Sequence, residues 1–209
     1  MFGCQAVRHE AGAAAESREH KITATAYSFN ARLWRDGKPT TFKLELYQTD
    51  SILGLAGRGY LGKGALKGWL RSDSIKVYFP STDEYLYESL ADLAATSTCP
   101  LPLAGLDILQ LLSTLPDSLT YGADLAVSSD YSDENRPRFR VSAADTACQW
   151  LVEIRYDRHE SSWRVRQFEF DNGRDIRLRA VRERHRSRAA VPAERFEVAL
   201  PPGAARIIP

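Results

Sequence analysis

Apolar and polar positions alternate along most of this chain. Phe42, Leu44 and Leu46 alternate with Lys43, Glu45 and Tyr47. A period of two puts one set of side chains on a buried face and the other toward solvent. Trp150, Val152, Ile154 and Tyr156 run the same way against Leu151, Glu153 and Arg155. The same reading predicts strands over 21–33, 52–61, 65–71 and 74–79, and a short one over 85–87 that runs into a small helix at 88–95. Asp36-Gly37-Lys38-Pro39 is a strong turn signal. Trp163 and Val165 have one parity and Phe168 and Phe170 the other, which a β-bulge near Arg166 and Gln167 would reconcile. Asp171-Asn172-Gly173 reads as a hairpin turn before a strand through Ile176, Leu178 and Ala180. Phe196, Val198 and Leu200 predict a last strand, and the polar run 128–138 an exposed loop.

One segment breaks the alternation. In 99–116 Leu106, Leu109 and Leu112 fall three apart, with Ile108, Leu111 and Leu115 beside them. A helix apolar around nearly its whole circumference has to be covered on most sides. Set in the middle of many strands, it reads as a lid or plug over the concave face of a curved antiparallel sheet. The fold class expected is therefore mainly β (α+β): a half-open antiparallel β-barrel wrapped around a short helical lid. Phe42, Leu44, Leu46, Leu53, Leu55, Val77, Phe79, Trp150, Val152 and Ile154 are the expected lining of the space beneath, closed by Leu106, Leu109 and Leu112. Such a barrel either fills itself with side chains or keeps a cavity.

The length of 209 residues fits one domain over 20–209. Residues 1–19 are the expected lipid-anchor region and flexible tether, Gln5 to Glu19 being small, polar and Ala-rich. The formal net charge of +1 gives no bulk signal for nucleic acid. Charge is uneven all the same. Residues 150–209 hold 13 Arg, no Lys and 9 acidic residues, 13 − 9 = +4, with Arg174, Arg177, Arg179, Arg182, Arg184, Arg186 and Arg188 in one stretch. That stretch is either a solvated strand face or a surface for anionic lipid head groups.

Most catalytic signatures are absent. Gly57, Gly62 and Lys63 have the spacing of a phosphate-binding loop, but Gly64 stands where a Ser or Thr should hold Mg²⁺, and the residues after it alternate like a strand. The glycines at 54, 57, 59, 62, 64 and 68 read better as kinks that let a sheet curl. His9, His20, His159 and His185 give no metal-ligand spacing, and there is no nucleophile elbow. The expectation is a protein with no metal, no cofactor and no chemistry of its own. The three cysteines are Cys4, Cys99 and Cys148. Gly3-Cys4 resembles the end of a bacterial lipoprotein signal, in which the cysteine carries the acyl chains; the alternative is an ordinary free thiol. With Cys4 acylated, Cys99 and Cys148 remain, as either a disulfide or two separate buried thiols.

Strands, a leucine-rich helical insertion and further strands closing on Phe196-Glu-Val-Ala-Leu-Pro-Pro-Gly-Ala204 resemble the LolA/LolB lipoprotein-carrier superfamily. Lys76-Val-Tyr-Phe-Pro80 with Tyr85 resembles its central strands. The resemblance covers about 21–209. It implies a half-open barrel whose cavity binds lipid or lipoprotein acyl chains, in the bacterial periplasm. It further implies attachment to the outer membrane through a lipid on Cys4, and exchange with a periplasmic carrier protein. By the same resemblance Leu61, in the loop between the third and fourth strands, corresponds to an exposed leucine that meets membrane or cargo. Cys99, Cys148 and the prolines at 100, 102 and 116 depart from the family pattern. A monomer is expected. The competing reading is a membrane-anchored interaction module with the same fold and a filled core.

Overall fold

Asp36 and Gly37 join the first two strands with backbone φ of 51° and 74°. Positive φ at both central residues makes the tight hairpin turn whose twist matches that of the strands it joins. It fixes the register of β1 (Lys21–Arg35) and β2 (Lys38–Gln48), with Arg35 opposite Lys38 and Tyr27 opposite Leu46. The computed structural model of the protein describes residues 20–59, 62–96, 108–116, 125–143 and 149–208. Hairpins continue through β3 (Leu53–Arg58), β4 (Gly64–Leu70), β5 (Ser74–Phe79) and β6 (Glu84–Ser89), which leads into α1 (Leu90–Thr96). The Ser89 hydroxyl accepts the Asp92 backbone N–H at 2.9 Å and so caps that helix. After α2 (Ile108–Leu111) come β7 (Leu125–Asp130), β8 (Arg138–Ala143), β9 (Leu151–His159), β10 (Ser162–Asp171), β11 (Ile176–Pro192) and a two-residue β12 (Ala205–Arg206).

The twelve strands form one sheet in the order β12-β6-β5-β4-β3-β2-β1-β11-β10-β9-β8-β7. Each neighbouring pair is antiparallel except β12 with β6. The two edges do not meet, so the sheet is not closed into a barrel. It is nevertheless strongly curled. Gln48 at the end of β2 donates to the Leu109 carbonyl, and Tyr156 of β9 donates to the Leu111 carbonyl. β2 and β9 are four strand spacings apart, about 19 Å in a flat sheet. Both can reach the same short helix only if the sheet bends around it.

The main core lies on the concave face. Phe29, Phe139, Val141, Tyr156 and Val165 are its fully buried centre, and Leu90, Leu111 and Leu112 of the helical segments sit against it. A smaller core on the convex face joins Ala24, Ala26, Tyr47, Val191 and Phe196.

Three expectations need correction. Residues 196–200 form no strand: Ala193–Phe196 is a 3₁₀ turn, and the following residues lie across the convex face. β2, β3 and β4 already have ladder partners on both sides, so this segment has no free edge to join. It is held by Phe196 over Gly54 and by Lys76 Nζ donating to the Val198 carbonyl at 3.2 Å. The polar run 128–138 is flanked by β7 and β8 rather than being all loop. Within the described part of the leucine-rich segment the helix is only Ile108–Leu111, followed by a turn. Gly57 lies in β3 and Lys63 leads into β4, a hairpin with no helix to face a phosphate.

Candidate apolar trough and its helical cover

The concave face is built by parity. Tyr27, Phe29 and Ala31 of β1 stand opposite Leu46, Leu44 and Phe42 of β2. Leu46 is opposite Leu55, and Leu53 opposite Leu70. On the other side Phe168 pairs with Ile154, and Phe170 with Val152 and Leu178. The register slips between Val165 and Gln167, the bulge that brings Trp163 and Val165 onto the same face as Phe168 and Phe170.

The structure thus gathers Phe42, Leu44, Leu46, Leu53, Leu55, Leu109, Leu112, Trp150, Val152 and Ile154 into one cluster. Val77 and Phe79 lie outside it. Val77 is buried over Gly68, where a Cβ would come within 2.9 Å of its methyl group, and Phe79 is half-buried at the end of β5. Cys4, Leu61, Cys99, Leu106 and Cys148 lie outside the described residues.

The trough has two unlike ends. At one end α2 and its following turn cover it, tied down by their own carbonyls. The Leu109 carbonyl accepts from Gln48, the Leu111 carbonyl from Tyr156 Oη at 2.7 Å, and the Leu112 carbonyl from Tyr27 Oη at 3.4 Å and from the Val165 N–H at 3.3 Å. A helix leaves its last carbonyls without intrahelical partners. Here four groups from four strands supply them. Burial raises the Tyr27 phenol above its ordinary value despite the nearby Arg164 and Arg182, so it stays a donor. No local pattern signals these anchors, since a tyrosine on a buried strand face reads only as core and its acceptor lies tens of residues away.

At the other end Phe42, Val152, Phe170 and Leu178 are only half-buried. Leu55, Ile75, Leu125 and Val127 are likewise part-exposed around the margin. The fully buried centre is thus flanked by apolar side chains still open to solvent.

The convex face of β8–β11 is a charge lattice. Glu153 is met by Arg155 at 2.8 Å, Arg140 at 3.1 Å and Arg138 at 3.7 Å. Burial alone would raise its carboxyl, but the hydrogen bonds from Arg155 and Arg140 outweigh that and hold it below its ordinary value. Arg177 and Arg179 share Glu169, and Arg182, Arg166 and Arg136 share Asp157. Three arginines of the Arg-rich stretch, Arg177, Arg179 and Arg182, are therefore paired with acids on β10 and β9, while Arg174, Arg184, Arg186 and Arg188 are exposed.

Among the described residues, no helix is long and apolar enough to cross a membrane, and no three His, Cys, Asp or Glu side chains stand together as a metal site.

The class this defines is an open, curled, mostly antiparallel sheet with helices on its concave side. No protein-family model matches the chain, and no curated protein matches it. Its neighbours among solved structures include a DUF1329 family protein from Desulfovibrio piger, with 11% identity over 84% of this chain and 90% of that one, TM-score 0.49. A LolA superfamily protein from Nitrosomonas europaea matches with 9% identity over 84% and 90% of the two chains, TM-score 0.42. A domain named for outer membrane lipoprotein sorting, from Vibrio parahaemolyticus, matches with 8% identity over 78% and 85%, TM-score 0.40.

Proposed function

We propose that this protein binds acyl chains of lipids or lipoproteins in the concave trough, without chemistry of its own, as part of lipid or lipoprotein trafficking at the bacterial outer membrane. The observation that carries the reading is the open end of the trough. Phe42, Val152, Phe170 and Leu178 form a continuous apolar surface that α2 leaves half-exposed. Each CH₂ moved from water onto such a surface gains about 0.8 kcal/mol, so a chain of a few methylenes already binds measurably. In this reading the protein is a periplasmic monomer, held at the outer membrane by a lipid on Cys4. Leu61 meets membrane, cargo or a carrier protein, and Cys99 and Cys148 are bridged near the base of the lid.

The test is native mass spectrometry of the purified protein, followed by titration of the delipidated protein with a fluorescent fatty acid. A co-purified lipid, or saturable probe binding displaced by lipid, is the expected result. A protein that carries no lipid and takes up no probe is instead an interaction module with a filled core. The full burial of Phe29, Phe139 and Tyr156 at the centre favours that second reading.

A further inference from the structure

The ladder between β10 and β11 begins only at Gln167 opposite Val181, although β9 pairs with β10 out to Ser162 and β1 pairs with β11 out to Pro192. Between 162 and 166 on one strand and 182 and 187 on the other the sheet forks. A cleft of about 270 Å³ opens in the fork, lined by Tyr27, Ser113, Arg164, His185 and Ser187 among others. Arg182 bridges the fork itself, donating to the Val165 carbonyl at 2.7 Å and to Asp157 at 3.0 Å.

Arg164 is different. It is half-buried in the cleft wall, and its ladder partner on β9, Asp157, is taken up by Arg136, Arg166 and Arg182, so that no described carboxylate is ion-paired with its guanidinium. Buried or half-buried charge is ordinarily paired, because taking it out of water costs more than an unpaired side chain recovers. The surroundings sharpen the imbalance. Arg182 lies close enough for its charge to act on the same site. Burial, with the charges of Arg164 and Arg182, pushes His185 down to about 4, so it stands neutral at physiological pH. The one acid in the lining, Asp50, is exposed at the rim. Another arginine-lined cleft, around Arg136, Arg138, Arg155 and Arg179, has each of these four already in an ion pair.

We infer that the fork between β10 and β11 is a binding site for a single oxyanion, a carboxylate or a phosphate, held by Arg164. Ser113 and Ser187 hydroxyls line the same cleft and are free to donate to the anion's remaining oxygens. The cleft is smaller than the roughly 300–1,000 Å³ of sites that enclose whole drug-sized ligands, and it suits one charged group. It lies beside the covered end of the trough, since Tyr27 and Ser113 belong to both. The oxyanion is therefore either a free small anion or the head of an amphiphile whose chain runs into the adjoining trough. The inference stands without the acyl-chain reading, because Arg164 has no ion-pair partner among the described residues whether or not the trough takes a chain.

The experiment titrates the full protein at constant ionic strength with inorganic phosphate, palmitate and methyl palmitate, against sodium chloride as control. Phosphate or palmitate is expected to bind at least about tenfold more weakly to Arg164→Gln than to the unaltered protein, the effect of removing a charge-assisted hydrogen bond. Arg164→Lys should recover part of the affinity, and Asp50→Asn should tighten it. Palmitate binding above that of methyl palmitate, with the difference lost in Arg164→Gln, assigns the site to an acyl head group. Tighter phosphate binding with no such difference assigns it to a free anion. Equal binding of every oxyanion to the unaltered protein and to Arg164→Gln, with both chains equally thermostable, overturns the inference. Methyl palmitate reports on the trough alone, so its failure to bind removes the acyl-chain reading and leaves the fork to be judged on phosphate.

Discussion

The hydroxyl of Tyr156 donates to the backbone carbonyl of Leu111 at 2.7 Å, and both residues are buried. Tyr156 sits on β9 with its ring edge-on to Phe139, centroids 5.6 Å apart. Through that hydroxyl β9 holds the helical cover. Tyr156→Phe keeps the ring and strands the carbonyl in an apolar setting. A buried acceptor left without its partner costs about 1–3 kcal/mol. Chemical denaturation should show a loss in that range, and amide exchange at 108–112 should rise more than elsewhere, because the cover loses an anchor. Tyr27→Phe should cost less. Its bond to Leu112 is longer, at 3.4 Å, and the Val165 N–H still reaches the same carbonyl.

Gly54 is the contact point between sheet and C-terminal segment. A Cβ there would lie 2.6 Å from the Arg195 carbonyl oxygen and 3.2 Å from the Phe196 ring. Backbone on one side and a buried ring on the other leave no flexible atom to give way. Gly54→Ala should therefore destabilise by about 1–3 kcal/mol, the usual cost of overpacking. Gly37→Ala is the matched control: nothing lies within 4 Å, but φ is +74°, so the cost is conformational strain alone, about 1 kcal/mol. Thermal melts of the two variants should differ accordingly, with loss of Phe196 packing in Gly54→Ala only.

The β architecture was legible where alternation met a turn. Alternation predicts Ser74–Phe79 with its observed bounds, and β1, β4 and β6 to within a residue or two. The bulge at Val165–Gln167 followed from a parity change alone. β11 was read only as far as Ala180, because beyond Val181 it carries arginines and a histidine in place of alternating apolar residues. Those residues belong to a strand all the same because β1 pairs with most of them, across two register shifts, a tertiary fact that local pattern does not carry. The misread strand at 196–200 shows the converse. Phe196 and Val198 do alternate and are buried, but against the face of a sheet rather than beside its edge. Parity predicts that Phe42, Leu44, Leu46, Leu53, Leu55, Trp150, Val152 and Ile154 share one face, and they do meet in one cluster, while Val77 and Phe79 do not join it. The tyrosine and glutamine anchors and the fork do not follow from parity, since they depend on where two ladders end.

Acidification should destabilise the fold in two overlapping steps. His185 has a folded value of about 4 against an ordinary 6.5, set by burial and by Arg164 and Arg182. The unfolded chain therefore takes up its proton first. His185's contribution is complete above pH 6.5 and is lost as pH falls toward 4. With solvent screening of a part-exposed site allowed for, the loss between pH 7 and pH 5 is about 1 kcal/mol. Glu153, held below its ordinary 4.5, adds a further loss at lower pH, as its carboxylate is protonated and its three arginines lose their partner. Urea midpoints at pH 7 and 5 should separate the two: His185→Asn flattens the slope over this interval, and Glu153→Gln leaves it in place.

Chain length is the sharpest probe of the trough. Its open end, from Phe42 and Leu178 to Val152 and Phe170, is apolar and half-exposed, while its centre at Phe29 and Phe139 is fully buried. If an acyl chain lies along it, affinity for saturated fatty acids should climb by about fourfold per added methylene, the equivalent of about 0.8 kcal/mol. The climb should stop once the chain outruns the apolar length. Leu178→Gln puts an amide on that path, opposite Phe170 and Leu33, and should weaken long chains by about tenfold with little effect on short ones. Because Leu178 is only half-buried, the variant should keep most of its stability. Competition against a fluorescent fatty acid over chains of increasing length measures both effects. An affinity that does not change with chain length would mean that the centre is filled and the exposed apolar end serves as a contact surface for another protein.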